Sequence, residues 1–271
     1  MAFNENFSLH QPEDAQEKQE ELFWKHLESL TDSGSLDVLK TIGGREYNNK
    51  FSLDLKGIVS ALTLDQNSPV AMNTLEDFAN VLKSANIKKA AEVGAGIPYS
   101  SMIQKLVPAF QKAGVELLAI GDSSPKYDAE FEKDGIRVIP EHAGNLSAEK
   151  LNLDLVIAHN VFSLGGQFTA GREYRNPDEP IHWVTDGVLD VVKHLSDNPR
   201  ATIVLYEGYD IMPLDREAIA KEADILCWRK LHTDGGWMYR EEDMYDDELS
   251  KRVYKESPNF VVLQKKAQKS T

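Results

Sequence analysis

The chain has one cysteine in 271 residues, Cys227, and that scarcity excludes two kinds of scaffold. A single thiol can form neither an internal disulfide framework nor a cysteine-built zinc site. Basic residues are also in the minority, because 30 Lys and Arg stand against 44 Asp and Glu and give a formal net charge of −14. Such a charge disfavours non-specific binding to nucleic acid or to an anionic membrane. We therefore expect neither of them as a partner.

Long apolar runs are missing as well. No stretch approaches the roughly 20 apolar residues that a membrane-spanning helix needs. Residues 1–19 lack the basic and then apolar layout of a signal peptide, so we expect a cytoplasmic protein. The hydrophobic fraction of 41% is ordinary for a globular chain. The length suffices for one sizeable α/β domain and an accessory segment.

The sequence pattern changes near residue 86. Residues 1–85 carry helical periodicity without a strand pattern, and we interpret them as an N-terminal helical cap or dimerisation segment. Leu22, Phe23 and Leu27 are the candidate apolar patch of that segment. Residues 86–271 alternate strands with helices, which predicts a doubly wound, mostly parallel α/β sheet. The predicted strands lie at 89–93, 116–121, 136–139, 153–158, 201–206, 225–231 and 259–265.

Two glycines follow the first predicted strand directly. Residues 92–96 read Glu-Val-Gly-Ala-Gly, and Pro98 opens the next predicted helix. Glycines at this point let the backbone turn tightly and approach a ligand, while the helix start offers unpaired amide donors and the positive end of its dipole. Ligands of open α/β sheets bind at the carboxyl ends of the strands. The segment therefore predicts a nucleotide-binding turn.

Two nucleotide-binding families fit this turn poorly. A phosphate loop needs Lys-Ser/Thr after its glycines, and residues 97–99 (Ile-Pro-Tyr) offer none. The dinucleotide fingerprint needs a third glycine where Tyr99 stands, and an acid closer to the glycines than Asp122. We therefore do not expect an NTPase or a dehydrogenase.

Residues 92–98 resemble motif I of the class I S-adenosylmethionine-dependent methyltransferases, which is an acid, a hydrophobic residue and Gly-x-Gly. Residues 121–125 (Gly-Asp-Ser-Ser-Pro) resemble that family's second-strand ending, and 154–160 and 201–207 resemble its fourth and fifth strands. The resemblance covers roughly residues 87–266 and implies a Rossmann-like seven-stranded sheet whose last strand is antiparallel.

The resemblance further implies S-adenosylmethionine as the cofactor. The implied cofactor-binding residues are Glu92, Gly94, Ala95, Gly96, Pro98, Asp122, Ser123, His142, Ala143 and Asn160. Asp122 would meet the ribose hydroxyls. The family commonly has Gly-Asp-Ala after its third strand, but residues 141–146 contain no aspartate. Which of His142, Ala143 and Asn145 contacts adenine therefore stays open.

Acceptor chemistry is expected at the carboxyl ends of the fourth and fifth strands. Methyl transfer depends mainly on positioning, and it needs a general base only if the acceptor arrives protonated. The candidate catalytic residues are His159, Asn160, Tyr174 and Glu207. The loop 160–183, which includes His182 and Trp183, is a predicted lid. No metal is expected, since His159 and Asn160 offer at most one good ligand.

Three functions follow from this interpretation. The first is methyl transfer to a small-molecule acceptor. The second uses S-adenosylmethionine as the substrate itself, by aminocarboxypropyl transfer or by cyclisation to azetidine-2-carboxylate with release of methylthioadenosine. Asn160, Tyr174 and Glu207 would then hold the amine. The third is a non-catalytic S-adenosylmethionine-binding or scaffold protein, possible as a homodimer through the N-terminal helices.

Overall fold

The computed structural model describes residues 11–32, 48–65, 72–95, 101–121, 125–146, 150–159, 161–162, 178–207, 212–231 and 257–266. The helices in these segments are α1 (Gln11–Asp32), α2 (Asn48–Thr63), α3 (Leu75–Ser84), α4 (Met102–Ala113), α5 (Pro125–Lys133), α6 (Asp178–Lys193) and α7 (Arg216–Glu222). The strands are β1 (Lys89–Val93), β2 (Glu116–Ile120), β3 (Ile136–Ile139), β4 (Leu155–His159), β5 (Thr202–Tyr206), β6 (Ala223–Arg229) and β7 (Phe260–Lys265).

The strands form one seven-stranded sheet in the order β3-β2-β1-β4-β5-β7-β6. β7 runs antiparallel to β5 and β6, and the remaining pairs are parallel. The order reverses between β1 and β4, and the carboxyl ends at such a reversal form the crevice in which open α/β sheets bind ligands. The predicted doubly wound sheet with an antiparallel seventh strand is confirmed.

The N-terminal helices cover one face of this sheet. α1 buries Phe23 and Leu27 in the same hydrophobic core that holds Phe260 of β7. α2 comes close to the sheet at Gly57, where an added Cβ would lie 3.0 Å from Cζ of Phe260. Glycine therefore lets this helix pack tightly, and the described part of α1 and α2 forms a helical layer of the domain.

This packing corrects the predicted apolar patch of the N-terminal segment. Phe23 is 0% exposed and Leu27 is 4% exposed, so neither side chain lies on the surface. Leu22 is 58% exposed. The dimerisation role of the segment stays a prediction, but it cannot depend on Phe23 or Leu27.

Local sequence explains how α3 begins. Thr74 caps the helix, with its hydroxyl accepting from the amide of Asp77 at 3.2 Å. The Asp77 carboxylate accepts in return from the amide of Thr74 at 2.9 Å. Such a capping box satisfies two amides that the first helical turn leaves unpaired. α3 then packs on α4, where the rings of Phe78 and Phe110 meet edge to face at 5.6 Å.

The opposite face of the sheet is covered by α6, whose Val184, Val188 and Val191 share a core with Val156 and Ala158 of β4. α6 begins at Asp178, inside the stretch 160–183 that the sequence predicts as a loop, with a helix only from residue 184. Acidic residues and a proline suit a first helical turn, and residues 178–180 read Asp-Glu-Pro. His182 and Trp183, predicted in the lid loop, therefore lie in a helix. The sequence also predicts a short helix at 36–42, which lies outside the described residues.

None of the helices in the described segments has the length and hydrophobicity that a bilayer crossing requires.

Candidate active site

Gly94 forms the turn at the end of β1. Its φ of +79° lies in the left-handed region that favours glycine. A Cβ added there would lie 2.2 Å from Cγ2 of Val161. The amide of Gly94 donates to the carbonyl of Ile120 at 2.7 Å and so ties the turn to β2. Glycine is therefore required at this position for two reasons. The backbone is left-handed, and Val161 leaves no room for a Cβ.

A small cleft of about 20 Å³ lies beside this turn, between the ends of β1 and β2. Its lining consists of Val93, Gly94, Ile120, Gly121, His142, Ala143 and Val161. At Gly121 an added Cβ would lie 3.4 Å from Cα of Gly94, so the two strand ends approach each other closely. The fold thus brings Gly94 together with His142 and Ala143, while a contact of either residue with adenine stays a prediction. Val161 is not among the predicted site residues, because nothing in the sequence around it marks it as part of a binding site.

Glu92 serves a structural purpose in the described part of the chain. Its side chain is buried, and Oε2 accepts from the Ser101 hydroxyl at 2.6 Å and from the amide of Ile103 at 2.9 Å. Oε1 accepts from the amide of Met102 at 3.2 Å. Burial raises the pKa of Glu92, and these hydrogen bonds oppose the rise. The carboxylate therefore fastens the start of α4 to β1, across the glycine segment. Its contact with a cofactor stays a prediction.

Glu207, directly after β5, holds the backbone that follows β4. The residue is 1% exposed, and its Oε1 accepts from the amides of Val161 and Phe162, both at 2.7 Å. Because Val161 also packs against Gly94, the ends of β1, β4 and β5 form one linked structure. The catalytic role predicted for Glu207 stays a prediction, while its contacts identify it as an anchor of this turn.

His159 ends β4 and pairs with a residue that the sequence interpretation missed. Its Nδ1 lies 2.9 Å from Oδ2 of Asp54 on α2, 105 positions earlier in the chain. Asp54 is 0% exposed. The imidazole also meets the ring of Tyr206 edge to face, with centroids 5.3 Å apart. A sequence signal did exist: Asp54 precedes Ile58 by one helical turn, so an acid stands on the apolar face of its helix.

The electrostatics of this pair favour a shared proton. Burial by itself would lower the pKa of His159, but the carboxylates of Asp54, Glu207 and Glu92 outweigh it and raise the pKa. Burial raises the pKa of Asp54, and His159 opposes that rise. Two groups coupled this closely titrate as a unit. The catalytic role predicted for His159 stays a prediction.

Several predicted residues lie outside the described residues: Gly96, Pro98, Asp122, Ser123, Asn160 and Tyr174. Their roles stay predictions. In the segments that the structure does describe, no group of three His, Cys, Asp or Glu side chains is arranged to hold a metal ion.

No known family profile and no curated protein sequence matches the chain. Among solved structures, a proposed sarcosine dimethylglycine methyltransferase from Galdieria sulphuraria is 17% identical with a TM-score of 0.33, and the match covers 56% of this chain and 51% of that one. The plantazolicin methyltransferase BpumL, solved with SAH and a triazolic desmethylPZN analog, is 18% identical with a TM-score of 0.37, over 76% of this chain and 64% of that one. The PH0226 protein from Pyrococcus horikoshii OT3 is 11% identical with a TM-score of 0.41, and the match covers 83% of this chain and 93% of that one.

The chain thus spans about half of the first of these proteins and under two thirds of the second. At such low identities and TM-scores, the fold is assigned from the strand order rather than from these similarities. The order β3-β2-β1-β4-β5-β7-β6, the antiparallel β7 and the Gly94 turn define a Rossmann-like domain with the sheet that the resemblance to class I methyltransferases implied.

Proposed function

We propose that this protein is an S-adenosylmethionine-dependent methyltransferase that acts on a small-molecule acceptor. The observation that carries the proposal is the cleft beside Gly94, at the point where the strand order of a methyltransferase-type sheet reverses. Its lining combines the glycines at the ends of β1 and β2 with His142 and Ala143.

The residues of this cleft fit the proposed cofactor. A Cβ at Gly94 would collide with Val161, so only glycine lets the chain after β4 lie this close to the turn. Val93, Ile120 and Ala143 supply apolar surface of the kind that covers a nucleobase. When bound, S-adenosylmethionine supplies a methyl group on a positively charged sulfur. Gly94, His142 and Ala143 would hold its adenosine part, together with Asp122 at the ribose.

The acceptor would lie beyond the ends of β4 and β5. His159 and Tyr206 end these two strands and form an edge-to-face contact there. Glu207 accepts from the backbone amides of residues 161 and 162 beside them, where the acceptor would be oriented. Orientation is the main contribution that an enzyme makes to an in-line displacement.

Calorimetry with the full chain tests the proposal. We expect S-adenosylmethionine and S-adenosylhomocysteine each to bind at one site, while ATP, which shares the adenosine but has a triphosphate, does not bind. No heat of binding with either sulfur-containing ligand would overturn the proposal.

Incubation with S-adenosylmethionine alone then separates methyl transfer from the other chemistry open to this fold. We expect the cofactor to remain intact until an acceptor is added and then to yield S-adenosylhomocysteine. Release of methylthioadenosine without an acceptor would instead show cyclisation, and its release only after an acceptor is added would show aminocarboxypropyl transfer.

A further inference from the structure

The starting observation is the direction of α2. At its carboxyl end, the Leu62 carbonyl accepts from the guanidinium of Arg200, which precedes β5. Toward its amino end, Asp54 contacts His159 at the carboxyl end of β4. α2 therefore runs antiparallel to the central strands, and its first turns lie at the ligand-binding edge of the sheet. The N-terminal segment in this way supplies a side chain to the candidate active site.

Asp54 differs from the other buried acids of the domain. Glu92, Glu207 and Asp154 accept hydrogen bonds from backbone amides, and Glu20 pairs with the guanidinium of Arg216, so each has a donor of the kind that buried carboxylates ordinarily find in a fold. Asp54 instead contacts an imidazole, and its Oδ1 is buried without a hydrogen-bond partner in the described part of the chain. Leaving a buried carboxylate oxygen unpaired is costly. The contact of Asp54 with His159 costs stability and involves a titratable ring, which indicates a role in catalysis rather than in folding.

The hydrogen bond also decides which ring nitrogen of His159 exchanges protons. With Nδ1 held by the Asp54 carboxylate, a proton taken from a neighbour goes to Nε2, and the carboxylate stabilises the imidazolium that results. Side-chain exposure of His159 is 10%, which leaves the ring shielded from bulk water.

The charges around this ring favour one kind of proton donor. The groups that face or influence His159 are Asp54 on α2, Glu92 on β1, Glu207 after β5 and Tyr206 on β5. On α4, Lys105 interacts with Glu92. Removing a proton from a hydroxyl would create an anion next to these carboxylates, whereas removing one from an ammonium leaves a neutral amine. A negative potential also attracts a cationic acceptor into the site.

From the contact between Asp54 and His159 and the carboxylates around them, we infer that His159 is the general base of the acceptor site. Asp54 is the positioning residue that orients its ring. The acceptor is a primary or secondary ammonium. The inference rests on the proposed function. In the step, the N–H bond of the ammonium breaks, its electron pair remains on nitrogen as the nucleophilic lone pair, and the proton bonds to Nε2 of His159. The imidazolium then keeps its Nδ1–H on Asp54 until solvent removes the extra proton.

The test uses the full chain and the variants Asp54→Asn and His159→Gln. Asp65→Asn is the matched control, since Asp65 follows the same helix but forms an ion pair with Arg200 and its side chain is 65% exposed. Initial rates of S-adenosylhomocysteine formation are measured with a panel of small primary and secondary amines and with the corresponding alcohols, across the neutral and alkaline range. Calorimetry gives the affinity of each variant for S-adenosylmethionine.

We expect methylation of amines and not of alcohols. Asp54→Asn should lower kcat by about 100-fold, the lower end of what general acid–base catalysis contributes, without changing the affinity for S-adenosylmethionine. Its pH–rate profile should also move to lower pH, because the amide no longer raises the pKa of His159. His159→Gln should lose the profile's acidic limb, the rise in rate that follows deprotonation of His159, and Asp65→Asn should match the unchanged protein.

A second measurement is independent of whether Asp54→Asn folds. The titration of His159 in the unchanged protein, followed by NMR, should have the same midpoint as the pH–rate profile. The inference is overturned if the two midpoints differ, if Asp54→Asn keeps full kcat, if only alcohols are methylated, or if no amine reacts although the cofactor binds. Failure to bind S-adenosylmethionine would instead contradict the proposed function.

Discussion

Gly94 combines two constraints, a left-handed backbone and a contact with Val161 that leaves no room for a Cβ. We predict that Gly94→Ala destabilises the protein by about 1–3 kcal/mol, the usual cost of overpacking, and weakens binding of S-adenosylmethionine at least tenfold. Because the Val161 side chain must move, the cleft beside it changes shape. Chemical denaturation and calorimetry measure the two effects.

Gly114 provides the matched control for that substitution. Its φ of +74° is close to that of Gly94, but an added Cβ would meet nothing within 4 Å. Gly114→Ala therefore carries only the backbone strain, about 1–2 kcal/mol, and should leave cofactor affinity unchanged. Equal losses of affinity in the two variants would show that the contact with Val161 is not what shapes the cleft.

The connection between β1 and α4 depends on one carboxylate. Glu92 accepts from the Ser101 hydroxyl and from the amides of Met102 and Ile103, all at the start of α4. We predict that Glu92→Ala lowers the free energy of unfolding by about 1–3 kcal/mol, since buried donors lose their acceptor. Urea denaturation measures the loss.

Glu76→Ala is the comparison for this element. Glu76 lies in the first turn of α3 and pairs with Lys112 at 2.8 Å, but the two side chains are 62% and 49% exposed. Exposed pairs of this kind contribute at most about 1 kcal/mol, so the variant should be nearly as stable as the unchanged protein. If Glu92→Ala proved equally harmless, the carboxylate would not be what fastens α4.

At the scale of the whole molecule, the N-terminal helices belong to the core of the sheet domain. Phe23 of α1 is fully buried in the cluster that contains Phe260, whereas Leu22 beside it is 58% exposed. We predict that Phe23→Ala lowers the free energy of unfolding by about 3–5 kcal/mol, as truncation of a buried aromatic ring does. Leu22→Ala should change it by about 0.5 kcal/mol or less. Denaturation curves of the two variants measure these changes in the free energy of unfolding.

An alternative outcome has a clear meaning. If Phe23→Ala changed the molecular mass in solution while leaving the free energy of unfolding unaltered, α1 would contribute to association rather than to the core. Size-exclusion chromatography with light scattering of both variants gives that second measurement.

Local patterns were sufficient for most of the fold. The predicted bounds of β1 and β3 are those of the structure, because a short apolar run between turn residues has few alternatives. The start of α6 was predicted too late, since residues 178–183 carry no apolar period. The buried position of Phe23 was also misjudged, because a helical stripe shows which face is apolar but not what covers it.

The sequence by itself determined the order of strands and helices, the glycine turn after β1, and the residues at the ends of β4 and β5. Periodicity and turn chemistry act between near neighbours, so they can be read along the chain. Only the tertiary structure decided that Val161 lies against Gly94, that Glu92 and Glu207 bind backbone amides, and that Asp54 reaches His159. These partners are far apart in the chain, and they are selected by the way helices pack on the sheet, which no local spacing records.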